Sequence, residues 1–106
     1  MLMGLLEELQ RKFANQAYEY SLHAVDQSIL KRISRRAVEE AVASGEIIED
    51  YPTDKYGPSC LIFGTTGANR PLHVQCTYPS NVKVKIITVY EPDPDRWIDF
   101  RSRRSK

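Results

Sequence analysis

The sequence predicts an α+β domain in which N-terminal helices pack on a mainly antiparallel sheet of four to five strands. Apolar residues recur every three or four positions over the first 44 residues, a spacing typical of amphipathic helices. After Gly45 they follow runs and a two-residue period, interrupted by clusters of Pro, Gly and Asn, which is typical of strands joined by short turns. Helices that precede a series of strands define the α+β class.

The N-terminal part is predicted to contain three helices and one short strand. Leucines and Phe13 at helical spacing indicate an amphipathic helix over residues 2–13, within an N-terminal segment 1–16. A single α+β domain is expected at 17–100, starting with a short strand over 17–21. Helices are expected at 23–32 and 35–44. Ser21 and Ser34 suit their N-cap positions, and Gly45 suits the end of the second.

Four strands are predicted in the C-terminal part, at residues 46–51, 59–65, 70–78 and 82–90. Because the connections are short, strands that follow one another should pair as a meander. Trp97 and its apolar neighbours are expected to cover one edge of the sheet. The last segment, 101–106, holds four of the fifteen basic residues and is expected to be a disordered tail.

Composition indicates a globular domain of 106 residues with 42% hydrophobic residues, 27% charged residues and a net charge of +1. No apolar run has the length of a membrane span and no signal peptide is evident, so a cytoplasmic protein without a membrane partner is expected. Cys60 and Cys76 lie in apolar strand frames and are expected to be buried and reduced. Cys76 and His73 have opposite strand parity, so no metal site, and no cofactor, is predicted.

The strand at 70–78 carries the most informative pattern, because alternation gives it one apolar and one polar face. Leu72, Val74 and Cys76 form the apolar face. The polar face carries His73, Gln75 and Thr77. A histidine among polar neighbours is a candidate acid or base near neutral pH, or simply a surface residue of a half-buried strand.

A three-residue loop at 79–81 would pair Tyr78 with Val82 and so determine the register of the next strand. That register puts Lys83 opposite Thr77 and Lys85 opposite Gln75, on the face that carries His73. A cationic face with an imidazole suits phosphate binding and proton transfer. A solvated face whose lysines provide solubility explains the same pattern, and both interpretations stay open.

Two further residues are candidates for a site. His23 begins a helix, where the positive end of the helix dipole favours the neutral imidazole, so it could act as a base or pack at the strand–helix corner. Tyr90 ends the last strand, where its hydroxyl could orient a phosphate or lie at the rim of the sheet. Gly57 and Gly64 indicate special backbone positions rather than a phosphate-binding loop.

Several short motifs together resemble a bacterial and archaeal family described only as a domain of unknown function, DUF4258. The motifs are Tyr18–Ala24, Ile33-Ser34 before Val38-Glu39-Glu40, Gly45–Pro52, Arg70–Val74 and Ile86–Pro92. They extend over roughly residues 18–97. The order of strand, helices and strands is similar to that of RelE-type and MqsR-type ribonuclease toxins.

This resemblance implies a toxin-like, metal-independent endoribonuclease of a toxin–antitoxin system. Its expected partners are RNA and an antitoxin with a zinc-finger domain. The implied acid/base residues are His23 and His73, and the implied phosphate-binding residues are Arg70, Lys83, Lys85 and Tyr90. The family pattern leads us to expect arginines at two positions where this chain has Gln27 and Lys31.

Two alternatives to an enzyme remain. The domain could be a non-catalytic module that binds protein or RNA. It could also associate with itself as a homodimer, through the leucine-rich face of the first helix and the Trp97 region.

Overall fold

A computed structural model describes residues 4–55 and 57–105 of the chain. The helices are α1 (Leu5–Ala14), α2 (Leu22–Leu30) and α3 (Arg35–Ala43). The strands are β1 (Tyr18–Tyr20), β2 (Glu46–Tyr51), β3 (Ser59–Thr65), β4 (Pro71–Thr77), β5 (Val84–Tyr90), β6 (Trp97–Ile98) and β7 (Ser102–Arg103). The predicted α+β class is confirmed. The predicted start of the first helix, at residues 2 and 3, lies outside the described residues.

The main sheet has five strands in the order β1-β5-β4-β3-β2. β2 to β5 form the predicted antiparallel meander, and β1 joins its end parallel to β5, with Tyr18 opposite Val84. β6 and β7 form a separate two-stranded hairpin. Within the described part of the chain, no helix has the length and apolar character needed to cross a bilayer.

The core lies between the helices and one face of the main sheet. It is built from buried apolar residues of all three helices and of every strand from β1 to β5 except β2: Leu9, Phe13, Tyr18, Ala24, Val38, Ala41, Val42, Cys60, Ile62, Leu72, Val74, Cys76, Val84, Ile86 and Val89, with Ile33 from the turn before α3. The predicted apolar face of β4 is present, since Leu72, Val74 and Cys76 all face this core, but His73 on the opposite face is buried as well.

Serine side chains cap α2 and α3 at their N-termini, as the sequence predicts. Ser21 Oγ accepts a hydrogen bond from the Ala24 amide at 3.0 Å, and Ser34 Oγ accepts one from the Ala37 amide at 3.0 Å. Each bond satisfies an amide that has no partner inside its helix. The Ser21 cap also anchors the helix to the sheet, because Ser21 Oγ donates to the Ile87 carbonyl at 2.9 Å.

The predicted register between β4 and β5 is wrong. In the structure His73 lies opposite Tyr90 and Cys76 lies opposite Ile86, and a bulge shifts the register between Gln75 and Cys76. The turn is also longer than three residues, because the Tyr78 amide donates to the Pro58 carbonyl instead of to β5. Lys12 Nζ holds this long turn through the carbonyls of residues 81 and 82. Periodicity did not reveal the bulge or the longer turn.

The C-terminal segment differs from the disordered tail expected for residues 101–106. Ser102–Arg103 forms a strand against Trp97–Ile98, and Lys106 lies outside the described residues. Arg101 Nε lies 2.5 Å from Glu46 Oε1, and Arg103 Nε lies 2.8 Å from Glu49 Oε2. The side chains of Arg101 and Arg103 are therefore paired with carboxylates on β2, and Arg104 Nε donates to the Pro94 carbonyl at 2.8 Å.

Gly64 allows α3 to pack closely on β3. A Cβ atom built at Gly64 would lie 1.7 Å from the Ala41 carbonyl oxygen, which is backbone and cannot rotate away. We predict that Gly64→Ala lowers the free energy of unfolding by about 3 kcal/mol or more, because the helix must move off the sheet to admit the methyl group. Urea unfolding followed by circular dichroism measures the change.

Gly67→Ala is the matched control for this substitution. Its added Cβ would meet only the Glu40 carboxylate, at 3.4 Å, at an exposed turn position. We expect a change within about 0.5 kcal/mol there. Equal stability losses in the two variants would contradict the close-packing explanation.

Candidate functional site

The face of the main sheet that points away from the helices is covered in part by residues 97–103, which we call the C-terminal hairpin. This hairpin buries His73 completely. The Trp97 ring stands perpendicular to the imidazole with centroids 4.4 Å apart, and the rings of Phe63 and Tyr90 lie edge-on at 5.9 and 5.2 Å. The predicted polar-face histidine is therefore enclosed by aromatic rings.

Both ring nitrogens of His73 have hydrogen-bond partners. Nε2 lies 2.7 Å from the Phe100 carbonyl oxygen, and Nδ1 lies 3.1 Å from the Tyr90 hydroxyl. A carbonyl oxygen only accepts, so Nε2 must carry the proton. In the neutral ring Nδ1 then accepts, and the Tyr90 hydroxyl donates to it. The arrangement is a chain of donors that runs from Tyr90 through His73 to the hairpin backbone.

Burial lowers the pKa of His73 below its ordinary value of 6.5, because the charged ring would lose its hydration. The hydrogen bond to Phe100 and the Glu49 carboxylate oppose this shift, and Arg103 supports it. Burial also raises the pKa of Tyr90. At neutral pH the pair is thus a neutral imidazole and a protonated phenol.

Two arginines hold the C-terminal hairpin on β2 and on the aromatic cluster. Arg101 pairs with Glu46 and stacks over the Phe63 ring at 4.8 Å. Arg103 makes two hydrogen bonds to Glu49, at 2.8 and 3.0 Å, and stacks over Trp97 at 4.7 Å. Burial would raise the pKa of Glu49, but the hydrogen bonds from Arg103 and Tyr51 outweigh it and lower that pKa. Burial and the bond to Glu49 raise the pKa of Tyr51 to about 12.

The turn of the hairpin adopts an unfavourable backbone conformation. Asp99 has φ 52° and Phe100 has φ 60°, both in the left-handed region. For residues other than glycine such positions cost about 1 kcal/mol or more each. The conformation aims the Phe100 carbonyl at His73, while the Phe100 ring lies 5.9 Å from that of Phe63. Contacts to the sheet therefore offset local strain.

Two open clefts border the hairpin. The larger, of about 830 Å³, is lined by Tyr90, Glu91, Asp93, Asp95, Arg96, Trp97, Arg103, Arg104 and Ser105. The smaller, of about 570 Å³, is lined by Asp50, Tyr51, Pro52, Thr53, Asp54, Gln75 and Arg103. Arg103 separates the two clefts, and Tyr90 connects the larger one to the buried imidazole.

The structure does not bring the two predicted histidines together. His23 is exposed in the first turn of α2, whereas the partners of the His73 ring are Tyr90, Phe100 and the surrounding aromatic residues. Arg70 lies just before β4, but its guanidinium binds the carbonyls of Lys31 and Arg32 at 2.7 and 2.8 Å and the Glu91 carboxylate at 2.5 Å. Arg70 thus fastens the C-terminal end of α2 to the sheet.

Lys83 and Lys85 lie apart from His73 because of the changed register. Lys83 belongs to the turn, and Lys85 follows it near Thr77, whose Oγ1 accepts from the Lys85 amide at 2.9 Å. Thr77 is four residues along β4 from His73, or about 13 Å at the rise of a strand. Both lysines are exposed and line a separate cleft of about 610 Å³ with Glu19 and Thr77.

Five residues of the site are not indicated as such by the sequence patterns: Glu49, Tyr51, Trp97 in its contact with the His73 ring, Phe100 and Arg103. The sequence feature that could have indicated the contact between β2 and the hairpin is complementary charge, because β2 carries Glu46 and Glu49 while the segment after Trp97 carries Arg101 and Arg103. A bulge in β2 between Ile47 and Glu49 places both carboxylates under the hairpin. This bulge is not visible in the sequence pattern.

Cys60 and Cys76 are free, buried and directly opposite each other on β3 and β4. Their burial was predicted. Hydrogen bonding to Cys60 and burial raise the pKa of the Cys76 thiol. Across residues 4–55 and 57–105, no three side chains of His, Cys, Asp or Glu cluster in a way that could hold a metal ion.

Comparison with known proteins identifies a family. A family model described as "Domain of unknown function (DUF4258)" matches residues 20–91. The match includes α2, α3, β2 to β5 and the last residue of β1, and with them His73 and Tyr90. No curated protein and no solved structure matches the chain significantly.

The lowered pKa of His73 predicts a pH-dependent stability. Unfolding exposes the imidazole, so the unfolded chain binds this proton at a higher pH than the folded chain. We expect the free energy of unfolding to fall as the pH drops through about 6.5 toward the lower pKa of the folded state. Urea unfolding over this range should show a smaller slope in His73→Gln, whereas His23→Gln should retain the slope. Equal slopes for the wild type and His73→Gln would contradict the prediction.

Removing Trp97 should uncover His73. We predict that Trp97→Ala raises the pKa of His73 toward 6.5, because water reaches the ring, with a stability loss of about 3 kcal/mol or more. Proton NMR titration of the imidazole measures this pKa. Ile98→Ala changes the exposed neighbour in the same hairpin and should leave the pKa of His73 unaltered. A folded Trp97→Ala protein in which His73 retains its wild-type pKa would show that Trp97 does not keep water from the imidazole.

Proposed function

Because the chain belongs to the DUF4258 family, whose description names no activity, we propose from its own geometry that it is a metal-independent endoribonuclease domain, with the reacting groups at Tyr90 and His73. The observation that carries the proposal is that a phenol, hydrogen-bonded to a buried neutral imidazole, lines a cleft together with three arginines, Arg96, Arg103 and Arg104. Arginines bind phosphate through paired N–H donors.

Of the three acidic side chains of this cleft, one is paired with an arginine and a second accepts a backbone hydrogen bond. Glu91 pairs with Arg70 at 2.5 Å, and Asp93 Oδ1 accepts from the Asp95 amide at 2.9 Å. Repulsion between these carboxylates and an incoming phosphate is thereby reduced. Arg103 already pairs with Glu49, so Arg96 and Arg104 supply most of the positive charge that a phosphodiester needs in order to bind beside Tyr90.

In the proposed reaction His73 acts as the base through Tyr90. The RNA 2′-hydroxyl gives its proton to the Tyr90 oxygen while the phenolic proton passes to Nδ1 of His73. The 2′-oxygen attacks the phosphorus, the bond to the 5′-oxygen breaks, and this oxygen takes a proton from solvent. The imidazolium then returns its proton through Tyr90 to solvent, which restores the neutral ring. The products are a 2′,3′-cyclic phosphate and a 5′-hydroxyl. The Phe100 carbonyl and the Glu49 carboxylate stabilise the transient imidazolium.

The other residues named from the sequence have distinct parts in this proposal. Lys83 and Lys85, about 13 Å along the sheet, bind phosphates of a longer RNA chain rather than the reacting one. Arg70 positions α2 and neutralises Glu91. His23 has no part in the proton transfer, because it is exposed on α2 and is not a partner of the His73 ring.

The proposed setting is a toxin–antitoxin system. Its support is the order of the elements, in which a helix and strand are followed by two helices and a meander, similar to RelE-type and MqsR-type toxins. An antitoxin with a zinc-finger domain would then be the natural partner. This assignment is an analogy of fold and does not depend on the chemistry at Tyr90.

A second candidate function is a non-catalytic module that binds protein or RNA. The complete burial of His73 favours it, since a satisfied histidine between two hydrogen bonds can serve solely to attach the C-terminal hairpin. In that case the arginine-lined cleft binds RNA without cleaving it.

Incubation of the purified protein with end-labelled RNA of mixed sequence, in the presence of a chelator, tests the proposal. We expect cleavage that leaves 2′,3′-cyclic phosphate ends. Tyr90→Phe and His73→Gln should each lower the rate at least about a hundredfold, because each removes a group from the proton path.

Tyr78→Phe is the matched control, since it removes another tyrosine hydroxyl that is hydrogen-bonded, at 2.5 Å, to Asp50 and lies outside the cleft. It should cleave at the wild-type rate. If the wild type binds the RNA without cleaving it, the endoribonuclease proposal is wrong and the second candidate function, a non-catalytic binding module, takes its place. Full activity in folded Tyr90→Phe would rule out the proposed proton path.

A further inference from the structure

An apolar stripe lies exposed along α2. Three of its side chains are largely open to solvent: Leu22 is 86% exposed, Leu30 is 78% exposed and Ile29 is 72% exposed. Val25 adds to the same face, which is opposite the buried Ala24. Single exposed apolar residues are common on protein surfaces, but a contiguous helical stripe at positions i, i+3 and i+7 indicates a binding surface.

The stripe ends in a cluster of positive charge. Lys31 and Arg32 follow Leu30 directly, and Arg35 begins α3; all three are exposed, while the neighbouring Arg36 pairs with Glu40 at 3.4 Å. The only acidic residue on α2 is Asp26, which lies between the apolar residues. This surface, which we call the α2 surface, is therefore apolar along its length and basic at one end.

The α2 surface is held in a definite shape. Arg70 binds the carbonyls of Lys31 and Arg32, so the backbone that presents these cations is fastened to the sheet. At the other side of α2, Gln27 Oε1 accepts from the Val89 amide at 2.9 Å and from Thr88 Oγ1 at 2.6 Å. A surface that is already ordered loses little entropy when a ligand binds.

We propose that the α2 surface binds an acidic amphipathic helix of a partner protein. Apolar residues of such a helix at three- and four-residue spacing would cover Leu22, Ile29 and Leu30, and its carboxylates would meet the basic end. The inference does not depend on whether the cleft beside Tyr90 cleaves RNA.

Charge distinguishes this ligand from the two other candidates. A second copy docked through the same surface would bring another cationic cluster and only Asp26 to pair with it, so its charges do not complement the α2 surface. A lipid bilayer would match the apolar stripe and the cations, but it would leave the Asp26 carboxylate without a donor in an apolar layer. A peptide can provide that donor.

Selection from a displayed library of random 20-residue peptides against the full-length protein tests the proposal. We expect the enriched peptides to carry apolar residues at helical spacing with Asp and Glu between them. Their affinity, measured by fluorescence anisotropy of synthesised peptides, should fall at least about tenfold for Ile29→Ser and for Arg32→Glu. Both positions are exposed, so these variants should fold.

Two matched variants control for general loss of apolar surface or positive charge. Val82→Ser changes a side chain that is 83% exposed in the turn before β5, and Arg11→Glu changes an exposed cation on α1. Both should bind the peptides as the wild type does. Enrichment of basic or aperiodic peptides, no enrichment at all, or equal binding by Ile29→Ser would overturn the proposal.

Two further measurements separate the other ligands. Sedimentation of the protein with anionic phosphatidylglycerol vesicles should show no association that depends on Ile29. Analytical ultracentrifugation of the free protein should show no dimer that Ile29→Ser dissociates. Either association would assign the α2 surface to a membrane or to a second copy, and the proposal would be wrong.

Discussion

The hydrogen bond from Nε2 of His73 to the Phe100 carbonyl is the contact on which the C-terminal part of the structure depends. It joins a central strand of the sheet to a hairpin with only two residues in each strand, which is too short to be stable alone. The same bond determines which ring nitrogen carries the proton. It therefore also determines that the Tyr90 hydroxyl donates to Nδ1. This one contact thus holds the hairpin on the sheet, selects the tautomer of His73 and sets the direction of the Tyr90 hydrogen bond beside the cleft.

The contacts around this bond divide into two kinds. Trp97 and the aromatic rings on the sheet exclude water from the imidazole, and burial of a large apolar side chain stabilises a fold by about 1.5 to 3 kcal/mol. The Arg101–Glu46 pair is about half exposed on both sides and is worth below about 1 kcal/mol, whereas Glu49, the partner of Arg103, is only 22% exposed. The role of both ion pairs is to determine how the hairpin is placed on β2, and in that position Arg103 borders both clefts.

The opposite edge of the sheet explains why α2 presents apolar residues to solvent. β1 covers only the first half of β5, and α2 continues along the remainder. Ser21 and Gln27 bind the exposed backbone of β5, which protects an edge that would otherwise pair with another chain. Because these polar contacts attach the helix, it buries little beyond Ala24 and its apolar stripe remains outward. Gln27 occupies a position where the family resemblance led us to expect an arginine, and here its amide acts on the sheet edge.

Local patterns in the sequence determined the class of fold, the order of the elements up to β5, both serine caps and the apolar face of β4, because each depends on residues that are neighbours in the chain. The same patterns indicated His73 and Tyr90, but not that they form one hydrogen-bonded pair. Only the tertiary structure decided that pairing, the position of the lysines and the burial of His73. These features depend on two bulges and on ion pairs between β2 and residues more than fifty positions away, and no local periodicity contains that information.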